Sequence, residues 1–370
     1  MHFTASQDQL ARALSQVGRI VQSQNSMAIL GGIQLNATEN TVRLQATDLF
    51  SLITAEIPAM VTQPGFVVVP ASTFSELIHR LPTATVDIEA ENGTGKMLIK
   101  YGRSRATIHG FGSERLPEFP GVEATSMPAI IPAGTLTDLS RQILFSCSKE
   151  DSRPILKGIH TELGAGKMVM VSTDGSRLSH AWVALPDYRG PEIKVILPTK
   201  VLLEGSRLSG GQQPVTMSFA PGFVRLATED VVLISRLLDG EYPEYQRVIP
   251  QEYPVHIRLP ISEFRGSVER AHLIASKDRS NSVRISHQVG GLMIRASAAE
   301  IGQAEESLEC DSQGQEMDVL FNSTFILDAL KSLSGDDLIM ELSGVQSPAK
   351  ICDADNPQYF HIVLPLRQLV

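Results

Sequence analysis

Stretches in which apolar residues recur every three or four positions alternate along this chain with stretches in which they recur every second position. Leu10, Leu14, Val17 and Val21 form one helix-period set, Leu136, Leu139 and Ile143 a second, and Phe264, Val268 and Ala271 a third. Each predicts a helix with a single apolar face. A further helix is predicted after each of these: over Phe74, Leu77, Ile78 and Leu81, over Val201, Leu202 and Leu208, and over Phe325, Leu330 and Leu333. These later helices begin at Pro-Ala-Ser, Pro-Thr-Lys and Asn-Ser-Thr, where proline stops the preceding strand and a hydroxyl is expected to cap the free amides of the first turn. Between the helices, alternating runs such as residues 41–46, 97–101, 167–172 and 223–227 are bounded by turn residues and predict strands of antiparallel sheets.

The pattern recurs. Ile29-Leu30-Gly31-Gly32-Ile33 returns as Ile155-Leu156-Lys157-Gly158-Ile159, Ala46-Thr47-Asp48 as Ser172-Thr173-Asp174, and Pro117-Glu118-Phe119 as Pro243-Glu244-Tyr245, all at an offset of 126 residues. A more divergent third copy stays in register through Phe321-Asn322-Ser323-Thr324, the counterpart of Val69-Pro70-Ala71-Ser72 and Leu197-Pro198-Thr199-Lys200. A unit of this length is a whole domain, too long for a solenoid repeat. The expected fold class is therefore α+β: three tandem copies, each with two helices packed on antiparallel sheets of about eight short strands. Prolines 120, 128 and 132, then 250, 254 and 260, mark the joints and set the expected domains at residues 1–125, 126–253 and 254–370.

Composition narrows the function by exclusion. Cys147, Cys310 and Cys352 are scattered, with no second cysteine or histidine at ligand spacing, so neither a disulfide framework nor a metal or cofactor site is expected. No run reaches the ~18 apolar residues of a membrane span, and the first residues lack a signal peptide's basic start and apolar run, so the chain is expected to be cytoplasmic, without a membrane partner. A net charge of -9 argues against nucleic acid. The charge is unevenly placed, however. The six helical stretches hold ten Lys or Arg against seven Asp or Glu, a net of +3, which leaves -12 for everything else. Arg12, Arg19, Arg80, Arg141, Lys149, Lys200, Arg207, Arg265, Arg270 and Lys331 all lie on or beside helices whose apolar faces turn inward.

The segment Ser172-Thr173-Asp174-Gly175-Ser176-Arg177-Leu178, the segment Leu238-Asp239-Gly240-Glu241-Tyr242-Pro243-Glu244-Tyr245-Gln246-Arg247-Val248-Ile249-Pro250 and the ending Leu364-Pro365-Leu366-Arg367 add to the threefold repeat. Together they make the chain resemble, from end to end, the bacterial DNA polymerase III beta subunit, the sliding clamp family. The resemblance implies a non-catalytic processivity factor: a head-to-tail homodimer closing a ring of six domains around double-stranded DNA, helices toward the hole. Twelve helices at ~9 Å spacing would make a circle of ~110 Å, and its ~35 Å diameter admits a duplex and water once a helix thickness is removed. Retention by topology removes the need for a tight phosphate grip, which would stop sliding.

The resemblance also implies a groove for short apolar peptides of the replicative DNA polymerase, the clamp loader, repair polymerases and other clamp-binding proteins. Matching positions are Leu156, Thr173, Gly175, Arg177, Leu178, Pro243, Arg247, Val248, Ile362, Val363, Leu364, Pro365, Leu366 and Arg367, which read as aliphatic walls with Arg177 and Arg247 at the rim. DNA-facing positions are Arg12, Arg19, Gln24, Arg80, Arg141, Lys149, Arg153, Lys200, Arg207 and Lys331, with departures from the family pattern at Gln24, Glu150, Pro154 and Ile155. Dimer-interface positions are Ala106, Ile108, Leu273 and Ile274, and Gln368, Leu369 and Val370 extend the chain where relatives stop, near the groove. Two other readings compete. Asp174, Ser179 and His180 are a hydrolase's residue types, but no glycine-flanked nucleophile turn or phosphate loop accompanies them. The other is a monomeric clamp-like protein that binds partners without encircling DNA.

Overall fold

The computed structural model describes residues 1–21, 27–82, 84–91, 93–120, 126–208, 212–278, 280–288 and 290–367. Among these described residues, six α-helices stand where the apolar period places them: α1 Gln7–Val17, α2 Ala71–His79, α3 Thr135–Ile143, α4 Thr199–Leu208, α5 Ile261–Ala275 and α6 Ser323–Ser332. Each copy of the repeat runs strand, helix, several strands, helix, three strands. Val21, Leu81 and Leu333 fall just outside their helices, because α1 tightens into a 3-10 turn at Gly18–Ile20 and the other two stop at His79 and Ser332. The capping expectation needs correcting. Helix α2 begins at Ala71, so its N-cap is Pro70, which offers no acceptor. In α6 the cap is the Asn322 side chain, which accepts from the Thr324 amide at 2.9 Å, while Ser323 and Thr324 lie inside the first turn.

The chain forms two compact units, residues 1–137, 187–191 and 200–237 in the first and residues 138–186, 192–199 and 238–370 in the second. The first unit holds a five-stranded sheet ordered Met60–Gln63, His2–Ser6, Thr85–Ala90, Lys96–Tyr101, Ser104–His109. It also holds an eight-stranded sheet in which Val231–Arg236 pairs antiparallel with Ser51–Pro58, Leu233 opposite Ile53 and Ser235 opposite Ser51. The Ser51 and Ser235 hydroxyls close that seam at 2.9 Å. The second unit holds a nine-stranded sheet, whose Arg177–Ala184 strand pairs with Asn356–Val363, and a four-stranded sheet edged by Gly302–Glu309. Each large sheet thus takes strands from two copies of the repeat, which is why three sequence copies give two compact units.

Alternation drives the packing. In Thr41–Thr47, Val42, Leu44 and Ala46 are fully buried while Arg43 is exposed. Helix α1 lays Leu10, Leu14 and Val17 inward, and α2 adds Phe74 and Ile78; in the second unit α5 contributes Phe264, Val268 and Ala271. Each large side chain so buried stabilises the unit by ~1.5–3 kcal/mol before entropy is counted. Helix pairs are also stitched by polar contacts. Ser15 Oγ meets His79 Nε2 at 2.8 Å between α1 and α2, and Arg265 Nη2 donates to the Leu330 carbonyl at 2.6 Å between α5 and α6. Among the described residues no helix is long and apolar enough to cross a membrane.

Candidate partner-binding face and helix cations

The repeated Thr-Asp pair builds one turn twice. In the second copy Thr173 Oγ1 accepts from the Gly175 amide at 3.0 Å and donates to the Arg177 carbonyl at 2.6 Å, while Asp174 Oδ1 accepts from the Ser176 and Arg177 amides. In the first copy Thr47 serves Leu49 and Ser51 in the same way, and Asp48 Oδ1 accepts from Phe50 and Ser51. The residue after the aspartate needs positive φ in both, +74° at Leu49 and +93° at Gly175. Glycine takes that conformation without strain, and here it also leaves room for the Arg153 guanidinium, whose Nη1 lies 2.8 Å from where a side chain would start.

This turn delivers the Arg177–Ala184 strand to an apolar face. Thr173 lies opposite Leu178, Leu178 opposite Ile362, and Val171 opposite His180. Leu178 and Ile362 join Val169, Val171 and Tyr245 in one buried cluster, against which Trp182, Ile249, Phe360 and Leu364 pack while keeping part of their surface open. The turn Tyr245–Val248 overhangs it with Val248 41% exposed, and Pro243 and Arg247 face solvent, Arg247 paired with Glu244. Past Val363 the chain is held by the Leu364 amide on the Ser176 carbonyl at 3.0 Å and the Leu366 amide on the Leu320 carbonyl at 2.7 Å. Leu364, Pro365 and Leu366 are half-buried, Arg367 is exposed, and Ile362 and Val363 are fully buried. Leu156 is no member of the cluster and is buried in the 3-10 turn Pro154–Lys157 that follows Arg153.

Arg177 is not at a rim. It is buried and spent internally, its Nε on Asp174 at 2.9 Å, Nη1 on Asp328 of α6 at 2.8 Å and Nη2 on the Phe145 carbonyl at 2.6 Å, with Phe325 under the guanidinium plane at 4.5 Å. Its role is to lock α6 to the sheet, since removing one partner of a covered ion pair strands the other charge. Of the two arginines read as rim groups, only Arg247 is exposed, its ion pair among the described residues being the surface one with Glu244. The aromatic part of the face, Trp182, Phe360, His180 and Tyr245, escaped sequence reasoning. The available signal was period two along one strand, Leu178, His180, Trp182, ending on the chain's only tryptophan.

The helix cations are mostly answered by their own helices. Arg12 pairs with Asp8, Arg80 with Glu76 at 3.7 Å, Arg141 with Asp138 at 3.2 Å, Arg207 with Glu204 at 3.1 Å and Lys331 with Asp328 at 3.6 Å, each acid one turn earlier. Lys200 is half-buried and bound to the nearly buried Asp48 carboxylate at 2.6 Å. Lys149 and Arg153 are exposed, and Arg19 is exposed with Nη1 on the Arg207 carbonyl at 3.2 Å. Arg12, Arg19 and Arg207 border one hollow of about 510 Å³ that Asp8 and Asp230 also line. Gln24 and residues 368–370 lie outside the described residues.

Two of the strands that end the four sheets differ in charge. Ser104–His109, carrying Arg105 and His109 with Arg103 just before it, ends the five-stranded sheet. Gly302–Glu309 ends the four-stranded one and carries Glu309 together with Glu305 and Glu306, which pair with Arg295 at 2.8 Å and with Arg270 at 2.9 Å. On the first edge Ala106 is half-buried and Ile108 is buried in its own unit; near the second, Leu273 is 67% exposed and Ile274 half-buried.

Asp174, Ser179 and His180 do not converge. Ser179 Oγ is fully buried between Ser146 Oγ at 2.8 Å and His361 Nδ1 at 2.9 Å, while His180, one residue on, points through the opposite sheet face onto Phe360. His2, Asp87 and Glu89 have metal-ligand atoms close together, but Lys100 already supplies a cation to both carboxylates. Burial pushes the Cys147 thiol up to about 12 and that of Cys352 up to about 11, leaving both protonated and unreactive at neutral pH.

Comparison with known proteins covers the whole chain. Residues 1–120, 130–244 and 246–367 match the family profiles described as the N-terminal, central and C-terminal domains of the DNA polymerase III beta subunit. The chain is 30% identical to the beta sliding clamp of Bacillus subtilis over 380 residues, covering 99% of this chain and all of that one. It is likewise 30% identical to the beta sliding clamp of Caulobacter vibrioides over 377 residues, with 99% and 100% covered. The crystal structure of the Bacillus subtilis clamp superimposes with a TM-score of 0.94 over 100% of this chain and 99% of that one. That of the Pseudomonas aeruginosa DNA polymerase III beta subunit, 26% identical, gives 0.94 with both chains fully covered.

Proposed function

Since the chain belongs to the DNA polymerase III beta subunit family, the sliding clamps, we propose that two copies join head to tail into a closed ring that encircles duplex DNA. The observation that carries this reading is the opposite charge of two end strands, Ser104–His109 and Gly302–Glu309. An unpaired strand is a template for another strand, and a basic edge and an acidic edge on one chain are self-complementary in the heterologous sense that generates rings. Ala106 and Ile108 on one edge and Leu273 and Ile274 beside the other are the proposed apolar part of the joint. The three domains, residues 1–125, 126–253 and 254–370, would then each appear twice, making six around the hole.

In this reading Arg12, Arg19, Arg80, Arg141, Lys149, Arg153, Lys200, Arg207 and Lys331 face the DNA. The acids one turn away mute most of them, which supports a weak, water-separated attraction to phosphate instead of a fixed grip. The chain works without catalysing anything: it holds the replicative polymerase, clamp loader or repair polymerases near DNA in the cytoplasm. Their apolar peptides would seat on the face around Leu178, Val248, Ile362 and Leu364, with Arg247 able to swing onto peptide polar atoms.

The test is topological. Loaded on a nicked plasmid circle, the protein is expected to remain bound in 0.5 M salt and to leave once the circle is linearised, with a solution mass of ~80 kDa, twice the 40.2 kDa of the chain. Equal loss from circular and linear DNA, with a monomer at micromolar concentration, would favour a clamp-like partner binder that encircles nothing.

A further inference from the structure

We propose that the peptide groove continues past Leu178 along the Arg177–Ala184 strand, over a shelf of aromatic and histidine rings that seats one additional large apolar side chain of the partner peptide. The inference rests on the groove reading above and extends it by one subsite. Side chains two apart on a strand share a face, so Leu178, His180 and Trp182 form a row, and their neighbours in register, Phe360 opposite His180 and Val169 opposite Trp182, continue the same surface.

The rings are organised. His180 lies flat on Phe360, with centroids 4.6 Å apart and planes 12° apart, and tilts against Tyr245 at 6.1 Å. His160 stacks on Tyr242 at 5.2 Å and 26°. Both imidazoles stack by their faces, and among the described residues Nδ1 of each is covered without a protein partner, while His160 Nε2 meets Glu162 at 2.9 Å. Burial holds His180 down at about 4, so the shelf is uncharged there at neutral pH. Trp182 and Phe360 pack on the buried cluster with one side and keep the other open. Beyond them, Val169 opens into a hollow of about 200 Å³ bordered by Glu162, Lys167, Glu192 and Lys194, which closes the apolar track with charge.

Aromatic faces favour another aromatic or large aliphatic group and reward stacking beyond simple area burial. The occupant is therefore an extended partner peptide carrying a phenylalanine, tryptophan or leucine outside its main anchor. Four residues at ~3.3 Å each separate Leu178 from Trp182 by ~13 Å, so an extended peptide reaches the shelf about four residues from the anchor.

Trp182 is the chain's only tryptophan and reports directly on occupancy. A tryptophan-free core peptide with an apolar anchor pair is to be titrated against the intact protein, alongside versions with phenylalanine four residues before or after the anchor, and controls with it two residues nearer. One four-residue extension is expected to bind about tenfold tighter than the core peptide and to shift Trp182 emission, which the core peptide leaves unchanged. Trp182→Ala is expected to bind core and extended peptides with equal affinity, losing the tenfold difference, and Trp182→Phe to keep most of it. Equal affinity of core and extended peptides for the unaltered protein, or a gain that survives in Trp182→Ala, overturns the shelf. A core peptide that does not bind removes the groove, and the shelf with it.

Discussion

His361 and His180 show how burial turns a side chain into a pH-dependent element of stability. His361 is fully buried, and desolvation pushes its imidazole down to about 3, with Arg177 adding a smaller repulsion; His180 is held at about 4, also by burial. In the unfolded chain both protonate near the ordinary histidine value of 6.5. Between that pH and the folded values the unfolded state binds the extra proton, so stability is full above ~6.5 and falls with acidification at ~1.4 kcal/mol per unit per group. Lowering the pH from 6.5 to 5 is expected to cost the protein about 2 kcal/mol through His361 alone. Urea unfolding of the unaltered chain and of His361→Gln at both pH values checks this, since the variant should lose about that much less. Equal losses would show that His361 does not hold its neutral form on folding. Arg177 illustrates a different limit of sequence reasoning. Its neighbours in sequence mark it as part of a groove, but its partners Asp328 and Phe145 come from α6 and from the region after α3.

At the scale of elements, the C-terminal segment is a strand continuation held by two backbone hydrogen bonds, at Leu364 and Leu366. It supplies half-buried apolar residues to the edge of the face around Leu178 and contributes no residue to the proposed edge joint. Truncation after Val363 is therefore expected to reduce peptide affinity by at least tenfold, while the protein stays dimeric. Fluorescence anisotropy of a labelled polymerase-tail peptide and sedimentation of the same sample measure the two outcomes. Unchanged affinity would mean that the peptide sits elsewhere. The helices and strands themselves were largely legible, because periods of 3.6 and 2 follow from which side must be dry. Caps were less so, since Pro70, two residues before Ser72, is the N-cap of α2 and leaves the Ser72 hydroxyl inside the first turn.

Across the whole molecule, the proposed joint rests on an opposition of charge between two of the strands that end sheets. Reversing it on one side with Arg103→Glu and Arg105→Glu is expected to shift the protein toward monomer, raising the dimer dissociation constant at least tenfold and more strongly at low salt. Analytical ultracentrifugation at two salt concentrations decides this, and a dimer indifferent to the change would place the joint on other surfaces.

The triplication, the six helices, the alternating strands and the family were already present in the order of residues, because each depends on spacing along the chain. The division into two compact units, the internal use of Arg177 and the histidine–aromatic shelf were decided only in three dimensions. Each of these depends on which strand pairs with which across more than a hundred residues, as Leu178 does with Ile362. A periodic pattern specifies that a face is buried. Only the register of the folded sheets specifies what it is buried against.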